Sequence, residues 1–235
     1  MGSCNSGGKG GGGATIVIDP NKRIPDGLQP RSEADELIDY LTKTHTVAHS
    51  PELALSRTNP NFKGRAGDPY SINCQRCAVA YELQRRGYDV EALGNFGRQD
   101  GHSSYAGILK NFGLKDGDDV RCGGWEGWEG WRKATSPTKA VSNVHDAMES
   151  WGNGSRGALV LTRAMGSGHI VNLEFINGKV HLNDGQTGKS FVGKKAVREY
   201  LTNQRTDFSN LRIFRTDNAT LRTEALPELV KMRGK

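Results

Sequence analysis

What the chain lacks narrows it first. No stretch of its 235 residues approaches the roughly 18 apolar residues of a membrane span, and no basic segment leads into an apolar one as in a secretory signal. Cysteine is scarce. The four present, Cys4, Cys74, Cys77 and Cys122, are too few and too scattered for a disulfide framework, so reduced thiols in a cytoplasmic setting are expected. Charge of one sign is never concentrated: 32 basic and 26 acidic residues give +6, with no run of five like charges. A nucleic-acid binder gathers its basic residues on one face, so no nucleic-acid partner is expected, only a mildly basic surface. Cys74-x-x-Cys77 has no second close pair of Cys or His to complete a zinc site, and no thioredoxin-type βαβ pattern surrounds it. No metal and no cofactor are expected.

What is abundant is glycine, at 31 residues, seven of them within the first 13. Residues 1–14 therefore read as a flexible arm that cannot pack a core. Its opening, MGSCNS, fits a myristoylation pattern at Gly2 and Ser6 with Cys4 as a palmitate acceptor. The pattern is short and permissive, and we read it as chance or the start of a fragment.

Thr15 to Asp19 reads as a short strand and residues 20–30 as loop. Ser32 with Asp35 three residues on has the form of a capping box, ahead of Ala34, Leu37, Ile38 and Leu41 at helical spacing. Residues 45–70 hold three prolines and read as an extended loop. A helix is expected from Cys74 to Arg86, stopped by Gly87, then a strand from Tyr88 to Leu93 and a helix from Ser103 to Phe112. Trp125, Trp128 and Trp131 recur in a Gly-Trp-Glu repeat. They are candidates for a substrate groove, although closing a loop over the core is the commoner use of tryptophan. Ser136-Pro137 opens a helix to Trp151. Ala158 to Arg163, His169 to Phe175 and Lys179 to Asp184 read as strands, the last two joined by an Asn177-Gly178 hairpin turn. A helix near Lys195 to Gln204 and a strand near Leu211 to Thr216 follow. Helices first and strands after give an α+β fold with an antiparallel sheet.

The chemistry gathers at two places. Asn73 reads as an N-cap, which puts Cys74 in the first turn of a helix, where unpaired N–H groups favour a thiolate. Cys77, one turn deeper, is expected to be buried and inert. In the hairpin, alternation places His169, Val171, Leu173 and Phe175 on one face with Val180, Leu182, Asp184 and Gln186, and His181 on the other, exposed. The shared face is apolar except at its open end, where either Asp184 or Gln186 is placed to orient His169. A base held by a third polar group is what a nucleophilic cysteine requires.

The stretch Asn73-Cys74-Gln75-Arg76-Cys77-Ala78-Val79-Ala80-Tyr81-Glu82 resembles the papain-fold toxin family, the toxin glutamine deamidases of bacterial polymorphic toxin and phage-associated systems. Gly168-His169-Ile170-Val171-Asn172-Leu173-Glu174 and Asn183-Asp184-Gly185-Gln186-Thr187-Gly188 look like that family's second and third motifs, in order, within residues 68–190. The chain is thus expected to divide into a papain-like catalytic domain at 68–216, an N-terminal helical or loop extension at 15–67, and a tail or short helix at 217–235. The resemblance implies Cys74, His169 and Asp184 as a triad. Asn73 is a candidate oxyanion donor, and the third motif departs from the family's common Asp-Pro-Gln by carrying Gly185. It also implies a glutamine-bearing target protein, an immunity or inhibitor protein, and delivery into a target cell, although no delivery domain is visible in these residues. Sequence leaves open whether such a site deamidates glutamine, cuts peptide bonds or acts as a transglutaminase. A non-catalytic phage interaction module is the rival from another class.

Overall fold

The computed structural model describes residues 32–43, 47–96, 104–115, 117–122 and 136–234. The glycine arm, Cys4, the strand expected at Thr15 to Asp19, and Trp125, Trp128 and Trp131 lie outside the described residues.

Helix α1 (Glu33–Lys43) starts with the expected capping box: Asp35 N–H donates to Ser32 Oγ at 3.2 Å, and Ser32 N–H and Oγ–H both donate to Asp35 Oδ2. The segment expected to be extended instead forms helix α2 (Pro51–Thr58), a correction. Ser50 Oγ accepts from Leu53 N–H at 3.2 Å, Pro51 sits in the first turn where its missing N–H is harmless, and Ala54, Leu55 and Thr58 are buried. The prolines of this stretch bound the helix. After a 3₁₀ turn at Pro69–Ser71 comes α3 (Cys74–Arg85), ended at Gly87 with φ +95°.

Strand β1 (Val90–Ala92) is followed by α4 (Tyr105–Asn111), β2 (Val120–Arg121) and α5 (Pro137–Trp151), whose Ser136 caps Lys139 N–H. Then come β3 (Arg156–Thr162), β4 (Gly168–Ile176), β5 (Lys179–Asp184), β6 (Lys189–Val192), α6 (Gly193–Asn203) and β7 (Arg212–Arg215). Six strands form one antiparallel sheet in the order β2-β7-β3-β4-β5-β6. The fold is α+β. The hairpin has the expected register, with Phe175 opposite Val180 and Leu173 opposite Leu182, across Asn177 (φ +51°) and Gly178 (φ +73°).

Where a tail or short helix was expected, a 3₁₀ turn at Thr223–Glu228 leads into β8 (Val230–Met232), which pairs with β1 outside the main sheet. Leu226, Leu229 and Val230 are buried there with Leu37 and Leu41 of α1, so apolar burial rather than local propensity holds this end of the chain. The sheet lies between two layers. Val171, Leu173, Phe175, Val180 and Leu182 pack with α5 and α6; Ala158, Ile170 and Phe214 pack with α3. The second face of the hairpin is thus covered, and His181 is half-buried rather than exposed.

Helix α3 is buried from Gln75 to Gln84 although five of these ten residues are polar or charged. Its two central polar side chains, Tyr81 and Glu82, are hydrogen-bonded. Glu82 Oε1 accepts from Arg86 Nε at 2.9 Å and Arg156 Nη2 at 2.8 Å; its Oε2 accepts from Arg156 Nε and Thr216 Oγ, both at 3.0 Å. Tyr81 O–H donates to Glu174 Oε1 at 2.5 Å, and Arg85 brackets the same carboxylate at 2.6 and 3.0 Å. These contacts set the helix's rotation and height against β3 and β4. Replacing Glu82 by Ala leaves Arg86 and Arg156 facing an unpaired gap. That variant is expected to lose about 3–5 kcal/mol, read as a lower urea midpoint at unchanged slope.

Candidate active site

Three elements end at the same place: α3 begins with Cys74, β4 begins beside His169, and β5 finishes at Asp184. Cys74 is half-buried. His169 and Asp184 are 4% and 2% exposed, so only the sulfur side of the group is open. A cleft of about 460 Å³ runs over it, lined by Cys74, Gln75, Asn95, His169, Tyr105 and Arg212 among others.

Asp184 is held from three sides. Its Oδ1 accepts from the N–H groups of Gln186 at 3.1 Å and Thr187 at 3.4 Å, inside the turn that joins β5 to β6. Its Oδ2 accepts from Tyr200 O–H of α6 at 3.1 Å and faces His169 Nε2 at 3.5 Å, an ion-pair separation rather than a short hydrogen bond. In the ladder, Asn172 pairs with Asn183, so His169 and Asp184 meet as diagonal neighbours. Gln186 does not stand opposite His169 in the ladder, because the chain turns after Asp184 to form β6. It touches Asp184 through its backbone N–H.

The charges reinforce one another. Burial pushes the Cys74 thiol up, but the His169 hydrogen bond, the imidazolium charge and a hydrogen bond from the Ile170 backbone outweigh it and leave the thiol below its ordinary value. Burial pushes His169 down, and Asp184 and Cys74 together reverse this, raising the imidazole to about 9. Burial raises Asp184, but His169, Thr187 and Tyr200 bring it below the usual carboxylate range. The thiol thus lies below its ordinary value beside an imidazole raised to about 9, the two directions that favour a thiolate–imidazolium pair. Cys77 is different: it is fully buried, its thiol donates to Asn73 Oδ1 at 3.2 Å, and burial drives it well above the ordinary thiol value.

Asn73 departs from its expected role. Its side chain does not cap α3 but turns inward, 0% exposed, donating to Leu93 O at 2.9 Å and Asn59 Oδ1 at 3.3 Å. Its amide N–H groups point into the protein, so it is not placed as an oxyanion donor. The first-turn N–H of Cys74 has no intrahelical partner and remains the natural candidate. Tyr200 went unnoticed in the sequence because, among Val197 and Leu201, it reads as one more inward residue of an amphipathic helix. Gly185 carries no Cβ because one would stand 3.0 Å from Thr58 Cγ2 and 3.4 Å from Cys77 Cβ. Its role is steric.

Residues 72–189, half of the chain, match the family described as papain fold toxin 1, glutamine deamidase. The chain belongs to this family. No curated protein matches it. Membership makes the protein a papain-fold cysteine hydrolase of deamidase type, and Cys74, His169 and Asp184 lie within the matched segment. Among the described residues of this papain-fold toxin domain, no helix is long and apolar enough to cross a membrane.

The electrostatics set a pH window. His169 has a folded value of about 9 against an unfolded value of about 6.5, so the stability it contributes is complete below pH ~6.5 and is lost as pH rises through about 9. Cys74 is expected to react with iodoacetamide at pH 6.5, and His169→Ala to move labelling to or above the free-cysteine range near pH 8.5, both followed by peptide mass spectrometry. Tyr200→Phe removes one donor from Asp184. It is expected to raise the Asp184 value, measured by NMR titration of its side-chain carboxyl.

Proposed function

We propose that Cys74, His169 and Asp184 act as nucleophile, base and orienting carboxylate in deamidating glutamine side chains of a target protein. The observation that carries the proposal is the meeting, at the floor of one open cleft, of a half-buried thiol lowered by His169 and an imidazole raised by Asp184.

The Cys74 thiolate attacks the carboxamide carbon of glutamine. The oxyanion that forms lies at the start of α3, where the Cys74 N–H and the positive end of the helix stabilise it. His169, as imidazolium, gives its proton to the amide nitrogen, the C–N bond breaks, and ammonia leaves behind a thioester. Water then attacks the thioester carbonyl while neutral His169 takes its proton. Collapse of the second tetrahedral adduct expels the thiolate and yields glutamate. Asp184 stabilises imidazolium in each half-reaction and keeps Nδ1 available to sulfur, because its own contact is with Nε2. Delivery into a target cell accords with the toxin family. An immunity or inhibitor protein would act by covering the cleft.

Proteolysis and transglutamination share the acyl-thioester and differ in what supplies and accepts the acyl group; the family favours deamidation. The distinguishing measurement is intact mass of proteins incubated with the enzyme. A gain of about 1 Da at a glutamine marks deamidation, fragments mark proteolysis, and a gain equal to an added amine marks transfer. Cys74→Ala is expected to reduce the rate roughly a thousandfold or more, with Cys77→Ala near the wild-type rate. Full activity in Cys74→Ala would sink the assignment.

A further inference from the structure

The two halves of the site come from loops far apart in the chain: the Asn73-Cys74 entry to α3, and the Asp184-Gly185-Gln186-Thr187 turn after β5. One side chain upstream of the family match joins them. Asn59, the C-cap of α2, is 8% exposed. Its Nδ2 donates to Tyr70 O at 2.9 Å and to Gln186 O at 3.0 Å. Its amide also faces the Asn73 amide reciprocally, Nδ2 to Oδ1 at 3.3 Å in each direction. The turn runs close against the same helix end, where a Cβ on Gly185 would stand 3.0 Å from Thr58 Cγ2, a methyl that valine also carries.

The contact with Gln186 reaches the catalytic group through one rigid unit. Gln186 C=O and Thr187 N–H belong to a single planar peptide. Asn59 holds the carbonyl end of that plane, and the N–H end donates to Asp184 Oδ1 at 3.4 Å. Gln186 N–H, one peptide earlier, donates to the same oxygen at 3.1 Å. Rotation of the turn would swing both donors off Asp184 and let its other oxygen drift from His169 Nε2, already 3.5 Å away. A site of this kind needs its groups held to about 0.5 Å. The grip on Tyr70 and Asn73 at the same time fixes the approach to Cys74.

We infer that Asn59 is a positioning residue: it clamps the Cys74 loop to the Asp184 turn and so maintains the thiolate–imidazolium pair. The inference rests on the triad reading above. It makes α2, outside residues 72–189, a working part of the site. Asn59 is uncharged, so it acts by geometry alone.

The test uses the full chain and reads the pH profile of Cys74 labelling by iodoacetamide, which needs no knowledge of the target protein. Asn59→Leu keeps the volume and removes the donors. Asn59→Ala is the smaller second variant, and Thr58→Val is a neighbouring control that deletes a hydroxyl bonded to Ala54 O. All are compared where circular dichroism is native. Both Asn59 variants are expected to label at pH 6.5 about tenfold more slowly, the effect of losing two buried hydrogen bonds, and Thr58→Val to keep the wild-type profile. On an Asp184→Asn background the Asn59 substitution should add a smaller loss than on the wild type, since part of its effect runs through that carboxylate. An unchanged profile in folded Asn59→Leu overturns the inference, as does an equal loss in Thr58→Val or an undiminished effect on the Asp184→Asn background. Failure of both Asn59 variants to fold makes the residue structural and also overturns it. Wild-type Cys74 labelling like a free cysteine overturns the triad reading itself, and this inference with it.

Discussion

A helix buried along ten residues, half of them polar or charged, is the constraint from which the rest follows. Desolvating Glu82, Glu174 and Tyr81 costs several kcal/mol unless each finds partners. The partners must come from the protein rather than from water, because α3 is covered on all sides. Arg156 comes from β3, Thr216 from the segment after β7, Glu174 from β4, and Arg85 and Arg86 from the last turn of α3 itself. An apolar helix in this position would be free to slide or rotate by a ridge. A helix with two arginine-bracketed carboxylates at its far end has one orientation, and its first residue, Cys74, is thereby aimed at the end of the sheet.

The same low-dielectric setting acts oppositely on two thiols three residues apart. Desolvation raises both. Cys74 meets His169 and an N–H from Ile170, and the sum falls below the ordinary value; Cys77 meets the Asn73 carbonyl and no cation strong enough to offset burial. Sequence spacing makes the pair look like a redox or zinc half-motif. The local field separates one reactive sulfur from one packing sulfur. His169 is likewise lifted by its neighbours against its own burial, so the proposed triad is a cooperative charge arrangement in which each member's state depends on the other two.

Much of this was legible beforehand, for identifiable reasons. The Asn177-Gly178 turn specifies its register through backbone conformation, and a period of two then assigns every side chain of β4 and β5 to a face, so the nearness of His169 and Asp184 followed. The Ser32-Asp35 and Ser136-Pro137 starts are local hydrogen-bond devices and were equally readable. Helix α2 was misread because three prolines in 26 residues look like loop, when Pro51 in fact opens the helix and Pro60 and Pro69 lie beyond its end. Strand β8 was missed because its partner, β1, lies 140 residues away.

What the sequence by itself determined is therefore what depends on near neighbours: α+β class, the main helices, the hairpin register, and the order of Cys74, His169 and Asp184 along the chain. What only the tertiary structure decided is what depends on convergence. It chose Asp184 over Gln186 as the group facing His169, because the chain turns into β6 before Gln186 can lie across from the ring. It turned the Asn73 amide inward to Asn59 and Leu93, and it brought Tyr200 of α6 onto Asp184. Hydrogen bonds between residues tens of positions apart leave no periodic trace in a sequence. They exist only once buried polar groups, closed off from water, must find one another.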